Sequence, residues 1–362
     1  MDTLSRKKNF HREKENNMAN ITIYDIAKES GLSIATVSRY QNNKVVSDKS
    51  RQAIMKAIEK HNYTPNAAAQ SLAAGARVLG IMVNDIRNPY LASLSAACEI
   101  AANKQGYSVL LCNLFDNRNL ELKHLDKLYA QRVEAIIQLG LSTDALVSDP
   151  SYVDKVKRLI RKTPFVTSGK LDGVRSYSVN LDHIMAVNIM FDYLTSLGHR
   201  KIAFVGGKFF NQSAYDKKNE YIRLMKSRSI TFPAEFIQEK GYDEETGFEC
   251  MQRLFKLKTR PSAIMAISDE CAIGVIHAAR NHGLSVPEDL SVIGYDNTFL
   301  AEVARPRLTS VDCNIPHYGA ILVDVAIRAA RDEKPSRKII LDTRLVTRES
   351  CGKAPGYNKA KK

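Results

Sequence analysis

Three kinds of hydrophobic pattern follow one another along the chain. Residues 1–19 are polar and charged without any period, which predicts a disordered extension. Between residues 20 and 65 the apolar positions recur at helical spacing in three short stretches. From residue 78 to 352 buried-type apolar runs alternate with amphipathic helical stretches. The pattern therefore predicts a small all-α domain and a larger α/β domain, followed by a basic tail over residues 353–362.

The α/β pattern is regular enough to place individual elements. Strands are expected at residues 78–83, 109–112, 135–139, 165–167, 202–205, 263–267 and 291–294. Helices are expected near residues 90–105, 119–131, 151–161, 184–197, 215–227, 244–257 and 270–282. Strands that alternate with helices form parallel sheets, and this number of units usually divides into two sheets with a cleft between them. The predicted core is therefore two-lobed.

The small domain has the pattern of a helix-turn-helix. Thr22 and Asp25 have the spacing of a capping box for a first helix, which Gly31 ends. Ser33 can cap a second helix and Ser47 a third. Two short helices joined by a tight turn with glycine form this motif, and its second helix enters the major groove of DNA.

The start of the second helix carries side chains suited to reading bases. Ile34 and Ala35 suit thymine methyl groups, and Arg39 suits the O6 and N7 atoms of guanine. Hydroxyl and amide groups that suit phosphate contacts are present at Thr36, Ser38 and Asn42. The alternative is a generic helical hairpin in which Arg39 is merely solvated.

An alanine-rich stretch over residues 66–77 connects the two domains. It predicts a single helix of about two turns, and a helix this short is marginal in water unless something packs against it. The connection is therefore expected to be a conditional helix.

Composition and charge exclude several classes of protein but do not identify the function. The chain has 53 Lys and Arg against 39 Asp and Glu, a net charge of +14, but residues 1–75 carry only 12 − 7 = +5 of it. Six scattered cysteines show no disulfide or zinc spacing, and neither a cofactor nor a metal is expected. We find no membrane-length apolar run, no signal peptide and no catalytic motif, so a cytoplasmic, non-enzymatic protein is expected.

Several motifs occur in the order of one known family. They include Y-D-I-A-K-E-S-G-L-S-I-A-T-V-S-R (24–39), Y-T-P-N-A-A-A-Q-S-L (63–72), L-G-H-R-K-I-A-F-V-G-G (197–207) and P-E-D-L-S-V-I-G-Y-D-N (287–297). From about residue 20 to 351 the chain resembles the LacI/GalR family of bacterial transcription regulators. The resemblance implies a DNA-binding headpiece, a hinge helix over residues 66–77 and a two-lobed core similar to periplasmic sugar-binding proteins.

The resemblance also implies how DNA is bound. In the family the hinge helix orders on a palindromic operator and inserts a leucine into the minor groove, and Leu72 matches that leucine. Further positions that match the family's DNA contacts are Tyr24, Ser33, Ser47, Asn66 and Ala69. A homodimer on two half-sites is expected, because the short tail lacks the leucine-repeat helix of the family's tetramers. Met18 is a candidate start, and a basic arm on DNA phosphates is the alternative for residues 1–19.

A small effector is expected between the lobes. Asp269 aligns with an acidic residue that accepts hydrogen bonds from ligand hydroxyls, and Tyr242 lies where an aromatic ring stacks on the ligand. Tyr90 follows a strand end, where open α/β sheets bind ligands. Lys217 replaces the family's usual arginine.

The chemistry of the effector stays open at this point. Gly169 stands where the family has an aspartate, and Lys170 follows it. Together with Lys217 this favours a positive pocket and an anionic effector such as a sugar acid or sugar phosphate. A neutral sugar is the alternative, with the lysines solvated.

Two other interpretations of the whole chain remain. A periplasmic-type carbohydrate-binding module would share the core but would begin with a signal peptide and would not need residues 20–76. A regulator that responds to a partner protein instead of a metabolite is the third interpretation. Within the headpiece, Tyr40 and Gln41 depart from the family's apolar pair, so Gln41 is expected to loosen packing or to contact DNA.

Overall fold

The computed structural model describes residues 21–41, 44–63 and 77–356. The chain divides between Arg77 and Val78 into a small N-terminal unit and a large C-terminal unit. The expected hinge helix lies outside the described residues, as do Asn42, Asn66, Ala69 and Leu72.

The small unit is a three-helix headpiece whose ends are fixed by local signals. Its helices are α1 (Ile23–Ser30), α2 (Ile34–Gln41) and α3 (Asp48–His61). The Asp25 carboxylate accepts hydrogen bonds from the Thr22 N–H at 2.9 Å and the Thr22 hydroxyl at 2.7 Å. Gly31 ends α1 with φ +67°, a conformation that glycine adopts without strain. The Oγ atoms of Ser33 and Ser47 accept from the backbone N–H three residues later, as capping predicts.

A small apolar core holds the three helices together. Its buried residues are Ile26, Ala27, Val37, Ile54, Ala57 and Tyr63. Each of the three helices contributes at least one of these residues. The helix-turn-helix is therefore confirmed as a packed unit.

The first lobe of the large unit is built on a parallel sheet. Its strands are β1 (Val78–Val83), β2 (Ser108–Asn113), β3 (Ala135–Leu139), β4 (Phe165–Thr167), β5 (Tyr177–Leu181) and β11 (Lys338–Leu341). Their order is β11-β5-β4-β3-β1-β2. The helices α4 (Pro89–Lys104), α5 (Arg118–Ala130), α6 (Pro150–Leu159) and α12 (Ile315–Ala330) belong to this lobe.

The second lobe repeats the arrangement. Its strands are β6 (Ile202–Val205), β7 (Ile237–Gln238), β8 (Ala263–Ala266), β9 (Ser291–Asp296), β10 (Thr309–Asp312) and β12 (Arg344–Val346). Their order is β12-β10-β9-β8-β6-β7, and β12 pairs antiparallel with its neighbour while the other pairs are parallel. The helices are α7 (His183–Ser196), α8 (Gln212–Ser227), α9 (Glu244–Phe255), α10 (Asp269–Asn281) and α11 (Phe299–Val303).

The chain passes between the lobes three times, after β5, β10 and β11. The two-lobed α/β fold is thus confirmed, and every strand and helix predicted for the core has a counterpart within a few residues. The elements that the pattern missed are β5, β7, β10, β11, β12, α11 and α12. None of the helices in the described ranges is long and apolar enough to span a membrane.

Candidate functional site

The second helix of the headpiece presents the predicted base-reading side chains to solvent. Val37 faces inward and is completely buried, whereas Ile34 is 43% exposed. Ala35 and Arg39 are also exposed, and an Arg39 guanidinium N–H donates to the Val45 carbonyl at 3.4 Å. One face of α2 therefore packs and the opposite face offers two apolar side chains and a guanidinium.

Polar groups surround this face at the starts of two helices. The Ser33 and Thr36 hydroxyls lie 2.9 Å apart at the start of α2, and Ser47 caps α3. Helix N-termini favour anions such as phosphate because their backbone N–H groups point outward. Tyr24 is 67% exposed, and Ser38 is half-buried. This surface combines groups for bases with groups for phosphates.

Gln41, at the end of α2, stands where the family usually has an apolar residue. Its Nε2 atom is buried and has no hydrogen-bond partner within the described parts of the chain. A buried donor without an acceptor costs free energy. The expected loosening of the headpiece thus has a physical basis.

A cavity of about 260 Å³ lies between the two lobes of the large unit. It opens at the carboxyl ends of parallel strands, where ligands bind in folds of this kind. Among the residues that line it are Asn84, Asp85, Tyr90, Asp116, Asp144, His183, Lys208, Asn211, Ser213, Lys217, Tyr242, Tyr295 and Asp296. Three of the four predicted effector residues, Tyr90, Lys217 and Tyr242, are therefore brought together.

Asp269 is the fourth, and the structure does not bring it to the cavity wall. It is 1% exposed at the first position of α10. Its carboxylate accepts from the Thr298 N–H at 2.7 Å, the Thr298 hydroxyl at 3.1 Å and the Ser310 hydroxyl at 2.5 Å. The expectation that Asp269 binds ligand hydroxyls does not fit this placement, because the side chain does not line the cavity and its carboxylate accepts three hydrogen bonds from the protein.

Asp296, at the end of β9, is one of the carboxylates that do line the cavity. Its backbone φ is +100°, a strained conformation for a residue with a side chain, and such strain is often found at functional sites. Burial raises its pKa well above the usual range, an effect that the nearby Lys217 ammonium opposes. The motif G-Y-D (294–296) ends a buried run and could have indicated this residue, whereas the prediction selected Asp269.

Lys217 lies deep in the cavity on α8. It is 7% exposed, and its Nζ lies 3.4 Å from the centre of the Tyr295 ring. Burial lowers its pKa, while the carboxylates of Asp296 and Asp144 favour the charged form. The Tyr295 hydroxyl is in turn 2.9 Å from Nδ1 of His183. The ammonium thus lies over an aromatic face, and the carboxylates of Asp296 and Asp144 favour its charge.

Hydrogen bonds join the two lobes beside the cavity. The Asp144 carboxylate accepts from the Ser213 N–H at 3.0 Å and the Ser213 hydroxyl at 2.8 Å. The Leu146 N–H donates to the Phe210 carbonyl at 2.8 Å. Burial raises the pKa of Asp144, although its hydrogen bonds from Ser213 favour ionisation. These contacts hold the lobes together over the cavity.

Lys170 and Lys217 were expected to make the pocket positive, but only Lys217 lines it. A Cβ on Gly169 would lie 2.0 Å from the Thr143 carbonyl oxygen, so the absence of a side chain permits a close backbone approach. Lys170 does not line the cavity and lies 3.3 Å from Asp172. Four carboxylates line the cavity, from Asp85, Asp116, Asp144 and Asp296, against two lysines, Lys208 and Lys217.

Three of these six charged groups lie in ion pairs. Asp85 accepts from Arg87 at 2.6 Å, and Asp116 from Lys208 at 3.1 Å. Asn84 was not predicted, and its Oδ1 is buried without a hydrogen-bond partner in the described ranges. The cavity therefore holds more carboxylates than lysines, and it contains an unused hydrogen-bond acceptor.

Comparison with known proteins follows the same division of the chain. The sequence model of the family "bacterial regulatory proteins, lacI family" matches residues 22–66. The sequence model of the periplasmic binding protein-like domain matches residues 191–351. Catabolite control protein A of Priestia megaterium is 32% identical over 336 residues, which cover 91% of this chain and 99% of that protein. The HTH-type transcriptional repressor PurR of Mannheimia succiniciproducens is 29% identical over 92% of this chain and 99% of its own length.

The fold agrees with that of a solved repressor. The structure of the lac repressor dimer bound to operator and the anti-inducer ONPF matches with a TM-score of 0.82 at 25% identity. The match covers 92% of this chain and 99% of the solved one.

Proposed function

Because the chain belongs to the lacI family and is a DNA-binding transcription regulator, not an enzyme, we propose that it is a repressor controlled by a neutral sugar. As a homodimer it binds a palindromic operator near genes of carbohydrate uptake or catabolism. A sugar in the cavity between the lobes releases the operator. The observation that carries the choice of ligand is that this cavity has no excess of positive charge, because four carboxylates line it against two lysines.

The headpiece geometry supports sequence-specific binding. Ile34, Ala35 and Arg39 share the exposed face of α2, where they can meet base edges in the major groove. Ser33 and Thr36 lie at the helix start, where phosphate contacts are favoured. A two-fold symmetric dimer presents two such faces, which is why a palindrome is the expected target.

An edge of the first lobe supports dimerisation. The strand β2 ends the sheet, and its Leu111 is 43% exposed. Ile100 on the adjacent helix α4 is 57% exposed. Apolar side chains beside an open sheet edge favour pairing with a second chain. Analytical ultracentrifugation should give a dimer for the wild type and a monomer for Leu111→Lys.

The cavity favours a neutral, hydroxyl-rich ligand over an anion. A sugar acid or sugar phosphate would face four carboxylates against two lysines, and the lysines already have acidic neighbours. A hydroxyl can donate to Asp296 or Asn84 and accept from Lys217, so a sugar satisfies both kinds of group. The rings of Tyr90, Tyr242 and Tyr295 supply apolar surface for the sugar's C–H faces.

Two experiments test this function. Affinity capture of genomic DNA fragments by the full chain at physiological salt should recover a few palindromes, since non-specific binding weakens there. Thermal shifts across neutral sugars, uronates and sugar phosphates should show stabilisation by a neutral sugar. Stabilisation by the anionic compounds alone would reject the neutral ligand, and no enriched sequence would reject the operator.

A further inference from the structure

The charge of the first lobe is distributed unevenly between the two edges of its sheet. All neighbouring strands in this sheet are parallel, so their amino ends share one edge and their carboxyl ends share the other. The five residues before each strand contain in total eight Lys and Arg against three Asp and Glu, whereas the five residues after each strand contain four against six. The lobe is therefore polarised, and its positive side is the amino edge of the sheet.

The eight basic residues at the amino edge, which we call the basic edge, are all exposed. They are Arg77, Lys104, Arg132, Arg161, Lys162, Arg175, Lys334 and Arg337. None of them forms an ion pair with any residue that the structure describes. Four helices of the lobe end at this edge, and each helix C-terminus contributes only about half a negative charge. An excess of positive charge therefore remains at the surface.

The three acidic residues at the same edge have other partners. Asp172 lies 3.3 Å from Lys170, and Glu333 lies 3.2 Å from Arg328. Glu134 accepts a hydrogen bond from the Tyr107 hydroxyl at 2.9 Å. None of these partners belongs to the basic edge, so these carboxylates form no ion pair with it.

Part of the basic edge lines a groove of about 900 Å³ where α5, α6 and α12 end. Its basic residues are Arg132, Arg161 and Lys162, and its acidic residues are Glu134 and Asp332. The Glu134 N–H donates to the Val78 carbonyl at 2.8 Å. Val78 begins β1 and is the first residue of the large unit. The groove is therefore bonded to the point where the chain arrives from the headpiece.

The length of the connection keeps the basic edge near any DNA that the headpiece binds. Residues 64–76 connect the described parts of the two units, and a fully extended chain of this length spans at most about 50 Å. One turn of DNA is about 34–36 Å long. Whatever arrangement the two units adopt, DNA beside the headpiece is thus within covalent reach of the basic edge.

We propose that the basic edge binds the sugar-phosphate backbone of the DNA that flanks the operator, so that the large unit adds contacts to those of the headpiece. This inference rests on the proposed operator binding. Guanidinium and ammonium groups bind phosphate oxygens, and such contacts position a protein on DNA without reading its sequence. An acidic protein would match the charge equally well, but only DNA is brought to this edge by the chain itself.

Fluorescence anisotropy titrations of the full chain test this contact. The captured palindrome is placed in a duplex of about 20 bp and in one of about 40 bp, whose random flanks add about one helical turn on each side. The wild type should bind the longer duplex about tenfold more tightly, and Arg132→Gln/Arg161→Gln/Lys162→Gln should lose this gain. Each phosphate contact contributes about 0.9 to the slope of log affinity against log salt concentration, so this slope should fall by about 2–3 per chain in the variant.

The variant Lys256→Gln/Lys258→Gln/Arg260→Gln is the matched control. It removes the same number of positive charges from exposed residues that precede β8, at the amino edge of the other sheet, where the headpiece is not attached. The control should keep the tenfold gain. Equal thermal unfolding of the wild type and both variants shows that a loss of binding is not a loss of folding.

The outcomes separate the basic edge from the proposed operator. A wild type that gains nothing from the flanks, a gain that survives in the Arg132, Arg161 and Lys162 variant, or an equal loss in the control would overturn the flanking contact. A wild type that binds the palindrome no more tightly than a random duplex of the same length would overturn the operator instead. The two variants compared on random duplexes then decide the DNA contact of the basic edge by themselves.

Discussion

Replacing Asp269 with alanine removes the acceptor of three hydrogen bonds inside the second lobe. The donors are the Thr298 N–H, the Thr298 hydroxyl and the Ser310 hydroxyl. A buried donor without its acceptor costs about 1–3 kcal/mol. The hydroxyls can rotate towards other acceptors but the N–H cannot, so we expect Asp269→Ala to destabilise the core by about 3 kcal/mol at pH 5.5. For a unit of this size the melting temperature should fall by about 5 °C.

The stability lost in Asp269→Ala should become smaller as the pH rises. Burial raises the pKa of Asp269 to about 7. The folded protein then keeps a proton that the unfolded chain releases near pH 4, so the contribution of Asp269 is full below pH 4 and is lost as the pH rises through 7. The difference in unfolding free energy between wild type and Asp269→Ala should therefore shrink by about 2 kcal/mol between pH 5.5 and pH 8.

Urea unfolding followed by circular dichroism at both pH values measures these differences. Asp172→Ala is the control, because Asp172 is an exposed partner of Lys170 and its removal should change little. An Asp269→Ala variant that is as stable as the wild type at both pH values, and that loses sugar binding, would refute the structural role of this carboxylate. That result would return Asp269 to the ligand site.

Gln41, Arg39 and His199 each give a further testable prediction. Gln41→Leu removes a buried unpaired amide and should stabilise the headpiece by about 1–2 kcal/mol, seen as slower amide hydrogen exchange in α1–α3; faster exchange would contradict it. Arg39→Ala should weaken binding to the captured operator by about 1–3 kcal/mol and leave binding to random DNA nearly unchanged, in fluorescence anisotropy titrations; equal losses on both DNAs would mean a phosphate contact. His199 is buried between the Ser262 and Ser291 hydroxyls, and burial lowers its pKa. Its contribution to stability is present above about pH 6.5 and is lost as the pH falls towards the lowered pKa, so urea unfolding of His199→Asn should lose less stability between pH 7 and pH 5 than the wild type.

Local signals made the headpiece and most of the core predictable. Thr22, Asp25 and Gly31 determine the ends of α1 through contacts within a few residues, and such contacts can be read from the sequence. The helix α12 was missed although its sequence carries a helical signal. Its Tyr318, Leu322 and Val325 are buried, whereas His317 and Arg328 are exposed at helical spacing, so the amphipathic pattern was present but was not recognised.

The ligand cavity was less predictable because its geometry depends on distant parts of the chain. The Asp269 carboxylate accepts a hydrogen bond from Ser310, which lies 41 residues later on β10. The ion pair of Asp116 and Lys208 joins residues 92 positions apart. The position of Asp269 in the sequence alone therefore could not show that this side chain does not line the cavity.

Release of the operator by a neutral sugar can be tested most directly by one titration. The full chain is bound to a captured palindrome and titrated with the sugar that raises its melting temperature, alongside the variant Asp296→Ala. We predict that the sugar releases the wild type from the operator and does not release Asp296→Ala, which should still bind the DNA. Release only by sugar phosphates or uronates, or equal release of both proteins by the neutral sugar, would contradict the proposed site and its ligand.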